Sequence, residues 1–135
     1  MILSYSIAAW RSLRGARSLA TFVVLATALP AAHAAAPDVR IACKPAGAAY
    51  AYDCAIDLAD PRTRAPVDGA RFRVTADMPS MPMAHNITPV DAAPDGRPGR
   101  YRARLALEMD GVWLVKLTFS VPVRDLVVRR VPVRG

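Results

Sequence analysis

Three methionines and one histidine lie close together in a polar segment that two prolines interrupt: Met78, Met81, Met83 and His85. Thioether sulfur is a soft, neutral ligand that favours Cu(I), and imidazole binds copper in either oxidation state. If residues 81–85 are extended, Met81, Met83 and His85 lie on one side of the backbone, because side chains alternate with a period of two. The spacing therefore predicts a copper site, with Cu(I) as the metal and these four side chains as its ligands.

Core packing is the alternative interpretation of the same segment, since methionine often fills irregular gaps between apolar side chains. Apart from Met1, the chain contains four methionines, and three of them lie in this segment instead of being scattered through the predicted strands. The fourth, Met109, adjoins a predicted turn at Asp110-Gly111. It is a further candidate ligand only if that turn folds against the 78–85 segment, and its place in an apolar row favours core packing.

Catalysis is not expected from the other residues that carry chemistry. His85 is the only histidine besides His33 in the leader, so a single mature chain cannot form a His-rich zinc site. Ser80 and Ser120 lack the local sequence of a nucleophile elbow. We therefore expect a protein that is not an enzyme.

Two cysteines, Cys43 and Cys54, are predicted to form a disulfide. Apolar residues alternate along 39–43 and from Tyr50 to Leu58, which places both sulfurs on the apolar side of two strands. Joined through residues 45–49, these strands form a hairpin, and so short a loop closed by a disulfide stabilises the fold by roughly 3 kcal/mol. A thiolate metal site is the alternative, but two thiols on a buried face without a nearby histidine make a poor one.

The first 34 residues have the three parts of a secretory signal peptide. Residues 1–17 carry three arginines and no acid, Leu19–Leu29 is almost wholly apolar, and small residues flank His33. Cleavage after Ala34 would leave residues 35–135 as one mature domain in the periplasm, with no membrane span. The alternative is an uncleaved signal that anchors the domain to the inner membrane, because extension to residue 36 approaches the roughly 20 apolar residues that a bilayer requires.

Strict two-residue alternation recurs through the mature domain and predicts half-buried strands rather than helices. We expect a hairpin between 101–107 and 113–121, an edge strand over 125–133 that carries Pro132, and a long irregular segment over 78–99 with a brief strand at 86–90. Six to seven strands in about 100 residues predict an all-β fold, an immunoglobulin-like β-sandwich. A small barrel is the alternative.

The charges of the predicted mature domain are dispersed along its strands. Without the three arginines of the leader, the formal net charge falls from +7 to +4. An acidic partner would fit if Arg71 and Arg73 lie on a strand next to the arginines at 100, 102 and 104. Nucleic acid is not an expected partner, because no aromatic residues are interleaved with these arginines.

Four short motifs occur in a fixed order: Pro66-Val67-Asp68-Gly69-Ala70, the Met-Pro segment 78–83, Gly99-Arg100-Tyr101, and Met109-Asp110-Gly111-Val112-Trp113. Together they make residues 64–121 resemble the YtkA-like domain and, more distantly, FixH-type proteins of respiratory copper biology. The resemblance implies an exported or membrane-anchored immunoglobulin-like β-sandwich that handles copper or assists oxidase assembly. The implied partner is a copper-receiving or oxidase-assembly protein. The cysteine hairpin is not part of this pattern.

The leading hypothesis from the sequence is a periplasmic domain that binds or delivers copper through its Met/His segment. The rival is a module for protein contact or assembly, in which the same segment forms an apolar recognition surface and no metal is required. The two differ in their dependence on His85, which only the copper hypothesis needs.

Overall fold

Two antiparallel sheets of four strands each make up the fold of a computed structural model that describes residues 35–82 and 87–134. The predicted signal peptide, residues 1–34, lies outside the described residues. Within the part of the chain that is described, no helix is long and apolar enough to cross a membrane. The strands are β1 (Asp38–Pro45), β2 (Ala51–Ala59), β3 (Arg71–Asp77), β4 (Val90–Asp91), β5 (Ala93–Pro94), β6 (Arg100–Ala106), β7 (Gly111–Val121) and β8 (Asp125–Val133).

The strand order is β1-β2-β6-β5 in one sheet, sheet A, and β4-β3-β7-β8 in the other, sheet B. The predicted all-β sandwich is therefore confirmed. The count is higher than the six to seven strands predicted, because β4 and β5 are two-residue pieces. If β4 is set aside and the other seven strands are lettered A to G in chain order, sheet A reads A-B-E-D and sheet B reads C-F-G. This is the strand order of the immunoglobulin sandwich, with β4 as an added strand beside C.

Alternate side chains of each long strand are apolar and point inward, and the packing of these apolar rows holds the two sheets together. Trp113, Val115 and Leu117 of β7 are fully buried, and so is Ile56 of β2. Across the sheets, Phe72 and Tyr101 meet edge to face, with ring centroids 5.2 Å apart. Such a pair contributes on the order of 1 kcal/mol beyond the burial of its area. The core thus lies between the sheets, and the polar members of each strand face solvent.

The predicted hairpin between β6 and β7 is wrong, since the two strands belong to different sheets. β6 pairs with β2 and β5, whereas β7 pairs with β3 and β8. Two facing sheets both direct an apolar row inward, so alternation alone does not reveal which strands share hydrogen bonds. The connection over 107–110 instead crosses the roughly 10 Å between the sheets.

The condition for an acidic partner, two basic rows on neighbouring strands, is not met for the same reason. Arg71 and Arg73 lie on β3 in sheet B, while the arginines of β6 lie in sheet A. On sheet A, Arg100 and Arg104 each pair in a bidentate fashion with an aspartate of β2, at Nε–Oδ1 distances of 2.6 and 2.8 Å. These arginines are therefore part of cross-strand ion pairs rather than one continuous basic surface.

The predicted disulfide is confirmed. Cys43 of β1 lies directly opposite Cys54 of β2, and the two are bonded. Cys54 is buried and Cys43 is partly buried, so both sulfurs face the core side as expected. The bond joins neighbouring strands of one sheet, whereas the immunoglobulin disulfide of antibody domains bridges the two sheets.

The predicted edge strand is confirmed as β8, the last strand of sheet B. Arg129 occupies a position in its inward row, and its Nε donates to the carbonyl oxygen of Val39 on β1 at 3.1 Å. A charge that points inward, together with Pro132, discourages another chain from pairing with this edge. The brief strand expected at 86–90 is displaced to β4, and its first residue, Asn86, lies outside the described residues.

A buried tyrosine hydroxyl fastens the segment before β3 to the start of β6. The Tyr101 hydroxyl donates to the carbonyl oxygen of Val67 and accepts from the backbone N–H of Ala70, both at 2.9 Å. Nearby, the backbone N–H of Gly99 donates to Asp68 Oδ1 at 2.6 Å. Gly99 has a φ of 67°, and a Cβ there would lie 2.7 Å from the carbonyl oxygen of Leu58. Only glycine fits this close approach.

Replacement of the Tyr101 hydroxyl is expected to destabilise the fold. Tyr101→Phe leaves the Ala70 N–H and the Val67 carbonyl without their partner in a buried place, which costs about 1–3 kcal/mol of unfolding free energy. Urea denaturation measures the loss. Tyr50→Phe is the matched control, because Tyr50 is 59% exposed, and its effect should stay within about 0.5 kcal/mol. Equal effects of the two variants would contradict the structural role of the Tyr101 hydroxyl.

Stability is expected to fall in acid because of the ion pairs on sheet A. Hydrogen bonds from Arg104 and Arg100 hold the pKa of Asp53 and of Asp57 below the ordinary 3.8. A carboxyl group whose folded pKa is depressed stabilises the fold above its unfolded pKa and loses that contribution as the pH falls through the folded value. Unfolding free energy should therefore decline below about pH 4.

The double variant Asp53→Asn/Asp57→Asn should flatten this acid limb without abolishing it, because the pKa values of Asp38 and Asp60 are also lowered. Asp91→Asn supplies the control, since the Asp91 side chain is 83% exposed. Denaturant titrations between pH 2.5 and 7 test the difference. An acid limb that is the same in the double variant and the wild type would count against these pairs.

Candidate functional site

The methionine segment begins where β3 ends, beside the first residues of β7. Asp77, the last residue of β3, lies opposite Leu114 of β7 in an antiparallel register. The chain that leaves β3 therefore runs past the residues that enter β7. An ion pair between Lys116 and Asp77 fastens the two strands at this end.

Met78 is part of the core and differs in its surroundings from Met81 and Met109, the other methionines among the described residues. It is 4% exposed, and its Cε lies 3.1 Å from the position that a Cβ would take on Gly111. Any larger residue at position 111 would press on the Met78 methyl group. Burying a side chain of this size stabilises a fold by about 1.5–3 kcal/mol, and Met78 would lose that contribution if it turned outward to bind a ligand.

Met81 lies on the other side of a tight turn. Its backbone N–H donates to the carbonyl oxygen of Met78 at 3.0 Å, with Pro79 and Ser80 at the two central positions. The turn reverses the chain and leaves Met81 38% exposed. Two of the four predicted ligands thus have opposite environments, one packed in the core and one open to solvent.

Met83 and His85, the other two predicted ligands, lie outside the described residues. Their proposed alignment with Met81 on one side of an extended chain stays a prediction. The described chain resumes at Ile87, which is buried, and the Ile87 carbonyl oxygen accepts a hydrogen bond from Thr75 Oγ1 at 3.0 Å. The segment is therefore attached to sheet B on both sides of residues 83–86.

Met109 is exposed, which corrects the expectation that it packs in the core. Strand β6 ends at Ala106, and Leu107 is the last buried member of its row. Beyond that point the chain turns toward the other sheet, the alternation stops, and Met109 is 37% exposed. The condition set for its candidacy is met in part, because Gly111 of the same turn lies close to Met78: a Cβ on Gly111 would be 3.1 Å from Met78 Cε.

Hydrogen bonds fix the corner that carries Met109. The indole N–H of the buried Trp113 donates to the carbonyl oxygen of Met109 at 3.1 Å. The hydroxyl of Tyr52 approaches Asp110 Oδ1 at 3.5 Å. Burial raises the pKa of Tyr52, and the neighbouring Asp110 carboxylate raises it further. The Tyr52 hydroxyl therefore keeps its proton and can donate to Asp110.

Tyr50 also lies at this end of the sandwich, and the sequence pattern predicted its environment incorrectly. It was expected to begin an inward row, but β2 starts only at Ala51, and Tyr50 adopts a left-handed backbone with a φ of 63°. Its carbonyl oxygen accepts from the backbone N–H of Leu107 at 2.8 Å, while the residue as a whole is 59% exposed. Tyr50 thus lies beside the Met109 corner.

The end of the sandwich therefore presents apolar side chains to solvent on a fixed backbone. We call this surface the methionine end, and its exposed apolar residues are Tyr50, Met81, Met109 and Val112. Within residues 35–82 and 87–134, no three His, Cys, Asp or Glu side chains come together as metal ligands. Met81 and Met109 are the exposed methionines of this surface, and thioether sulfur in general suits Cu(I) rather than hard cations.

The contrast between the methionines predicts different effects on stability. Met78→Ala should lower the unfolding free energy by about 2–5 kcal/mol, because it leaves a cavity beneath the Gly111 turn, whereas Met78→Leu should cost less than about 1.5 kcal/mol. Met81→Ala is the control and should change stability by less than about 0.5 kcal/mol. Chemical denaturation measures all three. A Met78→Ala variant as stable as Met81→Ala would show that Met78 is not a core residue.

Residues 35–118 match the family model described as YtkA-like. No curated protein and no solved structure matches the chain. The matched range covers the disulfide hairpin, the Tyr101 contacts and the methionine end, and it is more than half of the 135 residues. The chain therefore belongs to the YtkA-like family.

Proposed function

We propose that this protein is a periplasmic domain that binds Cu(I) at its methionine end and passes it to a partner, without itself being an enzyme. The ligands come from the Met/His segment: Met78, Met81, Met83 and His85. The observation that carries the proposal is the exposure of Met81 at a fixed end of the sandwich, in sequence next to a second methionine and a histidine.

Copper chemistry supports this choice of metal. Thioethers are soft and neutral, so they favour Cu(I), and one imidazole completes a set that hard cations do not prefer. A thioether has no ionisable proton, so binding through methionine sulfur does not require deprotonation as a thiolate site does. The two cysteines are bonded to each other and are not thiolate ligands.

The proposed location and partner complete this function. Residues 1–34, with their arginines and apolar run, are proposed to be a signal peptide that directs export. The oxidising compartment reached by export suits the Cys43–Cys54 disulfide. Retention of the leader as an inner-membrane anchor would place the same domain at the membrane surface. The proposed partner is a copper-receiving or oxidase-assembly protein, in keeping with the distant resemblance of this chain to FixH-type proteins of respiratory copper biology.

A contact module without metal is the second candidate function. It is favoured by the apolar character of the methionine end, where Tyr50 is 59% and Val112 46% exposed. Exposed apolar patches mark surfaces for protein interaction, and methionine adapts to irregular partners. In this alternative the partner binds without copper and tolerates His85→Ala.

A Cu(I) competition titration of the full chain under anaerobic conditions tests the proposal. We expect one copper per chain, with affinity lowered by at least about tenfold in Met83→Ala and in His85→Ala, since loss of even a supporting contact around a metal has this effect. His33→Ala is the matched control, as it removes the other histidine. Circular dichroism should show the same fold in all variants.

Binding no tighter than that of free methionine would defeat the copper function. In that case the contact module becomes the better explanation of the exposed methionines. Equal losses in His33→Ala and His85→Ala would place the copper on the leader and would also contradict the proposal.

A further inference from the structure

We infer that the outer surface of strands β7 and β8 in sheet B docks on the surface of an anionic phospholipid membrane. We call this surface the β7–β8 face. Its outward side chains include Val112, Lys116, Leu126, Val128, Arg130 and Pro132. The inference is independent of the copper function proposed above, because no metal ligand takes part in it.

Exposed aliphatic side chains distinguish this face from the other sheet. Leu126 is 56% exposed and Val128 39%, while Val112, which also belongs to the methionine end, is 46% exposed. Val112 lies opposite Pro132, so apolar side chains follow both strands. The outward positions of β1, β2 and β6 in sheet A hold only alanine and charged residues. Exposed apolar area gathered on one side of a domain marks a surface for binding.

Cations lie among these aliphatic side chains. Arg130 follows Val128 on the outward side of β8, and Lys116 of β7 lies opposite Val128. Lys116 is paired with Asp77, whereas Arg130 takes part in no ion pair within the described chain. An anionic membrane surface attracts unpaired basic side chains, and aliphatic side chains beside them gain by burial among the headgroups.

Arg71 adds a second unpaired cation to the same sheet. It begins β3, which pairs with β7, and it is exposed. Among the residues that the structure describes, it has no ion-pair partner. The outer side of sheet B thus combines apolar area with positive charge that the protein itself leaves uncompensated.

The start of the described chain is held against β8. A shallow depression at the β8 edge is lined by Ala36, Pro37 and residues 126–129. The Nε of Arg129 donates to the carbonyl oxygen of Val39 at 3.1 Å. The chain therefore enters the domain beside the strand that carries the most exposed aliphatic side chain of the face.

This point of entry favours a membrane over a soluble acidic protein as the occupant. The sequence before residue 35 contains the apolar run 19–29 of the proposed signal peptide. Such a segment meets a membrane during export and stays there if it is retained as an anchor. In both cases the domain is joined to that segment at the β8 edge, next to the β7–β8 face.

A second copy of this chain is a poorer occupant. Twofold packing of the face against itself would place the same patch on both sides of the interface. The unpaired Arg130 and Arg71 of one copy would then approach the same cations of the other copy. Like charges brought together in this way disfavour association.

Site-specific fluorescence of the full chain tests the contact. Val128→Cys and Ala93→Cys each introduce one free thiol, because Cys43 and Cys54 are bonded to each other. Each thiol is labelled with an environment-sensitive NBD fluorophore and mixed with vesicles of equal parts phosphatidylglycerol and phosphatidylcholine. Ala93 is the control position, since it is exposed and lies opposite Arg102 in sheet A.

We expect the label at position 128 to shift to the blue and to brighten by at least about twofold, as it leaves water for the headgroup region. The label at position 93 should keep its spectrum in water. Pure phosphatidylcholine vesicles and added salt should both weaken the response at position 128, because its attraction to the membrane is screened and depends on lipid charge.

Two matched double variants, made in the Val128→Cys background, test the role of the cations. Arg71→Gln/Arg130→Gln should reduce the fluorescence response at limiting lipid by at least about threefold. Arg40→Gln/Arg102→Gln removes the same charge from the outer surface of sheet A and should stay within about twofold of the parent. Any binding by residues 1–34 is common to all of these chains and cancels in the comparison.

Three outcomes would overturn the inference. The first is a label at position 128 that responds no more than the label at position 93. The second is an equal reduction in the two double variants, which would show that total charge and not this face governs binding. The third is a blue shift at position 128 that appears without vesicles as the protein concentration rises, which would identify a second copy as the occupant. None of these measurements contains copper, so a failure here is distinct from a failure of the proposed function.

Discussion

Burial of two apolar rows against each other is the constraint on which the rest of this structure depends. Each long strand contributes alternate residues to the space between the sheets, and no polar or charged residue is buried within the described chain. In so small a domain, little buried surface is available to offset the cost of an unpaired polar group in that space. Chemistry is therefore confined to the outer faces and to the two ends of the sandwich.

The YtkA-like motifs divide between these two ends and do different things there. At one end, Asp68, Gly99 and Tyr101 form hydrogen bonds and a close backbone approach that fasten the chain before β3 to β6. The structural roles of these three residues account for their residue types. At the other end, the Met-Pro segment and the corner from Met109 to Trp113 come close together at Met78 and Gly111, where a Cβ on Gly111 would lie 3.1 Å from Met78 Cε. Among the described residues, only this second end also presents exposed methionines, Met81 and Met109.

The sequence was sufficient to predict the features that alternation and local spacing control. The inward rows, the cysteine hairpin and the edge strand β8 all follow from a period of two and from short-range pairing. Strand partnership does not follow from these signals, because β6 and β7 show the same pattern whether they pair in one sheet or face each other across the core. Met109 and Tyr50 were misplaced for a related reason: both lie just beyond a strand end, where alternation no longer applies.

Met78 and Met81 show the same limit within the candidate site. Their spacing of three residues suggests a shared role, yet a single turn with a hydrogen bond from the Met81 N–H to the Met78 carbonyl gives them opposite environments. Because of this turn, Met78 lies in the core and Met81 lies at the surface. A copper site at this end would therefore lie within an apolar surface formed by Tyr50, Val112 and the exposed methionines. A partner that receives Cu(I) must come close enough to share a ligand, so it would cover this same surface. Under the proposed function, metal transfer and protein contact would therefore use the same surface of the domain. They would differ in whether sulfur atoms or buried apolar area supply the binding energy.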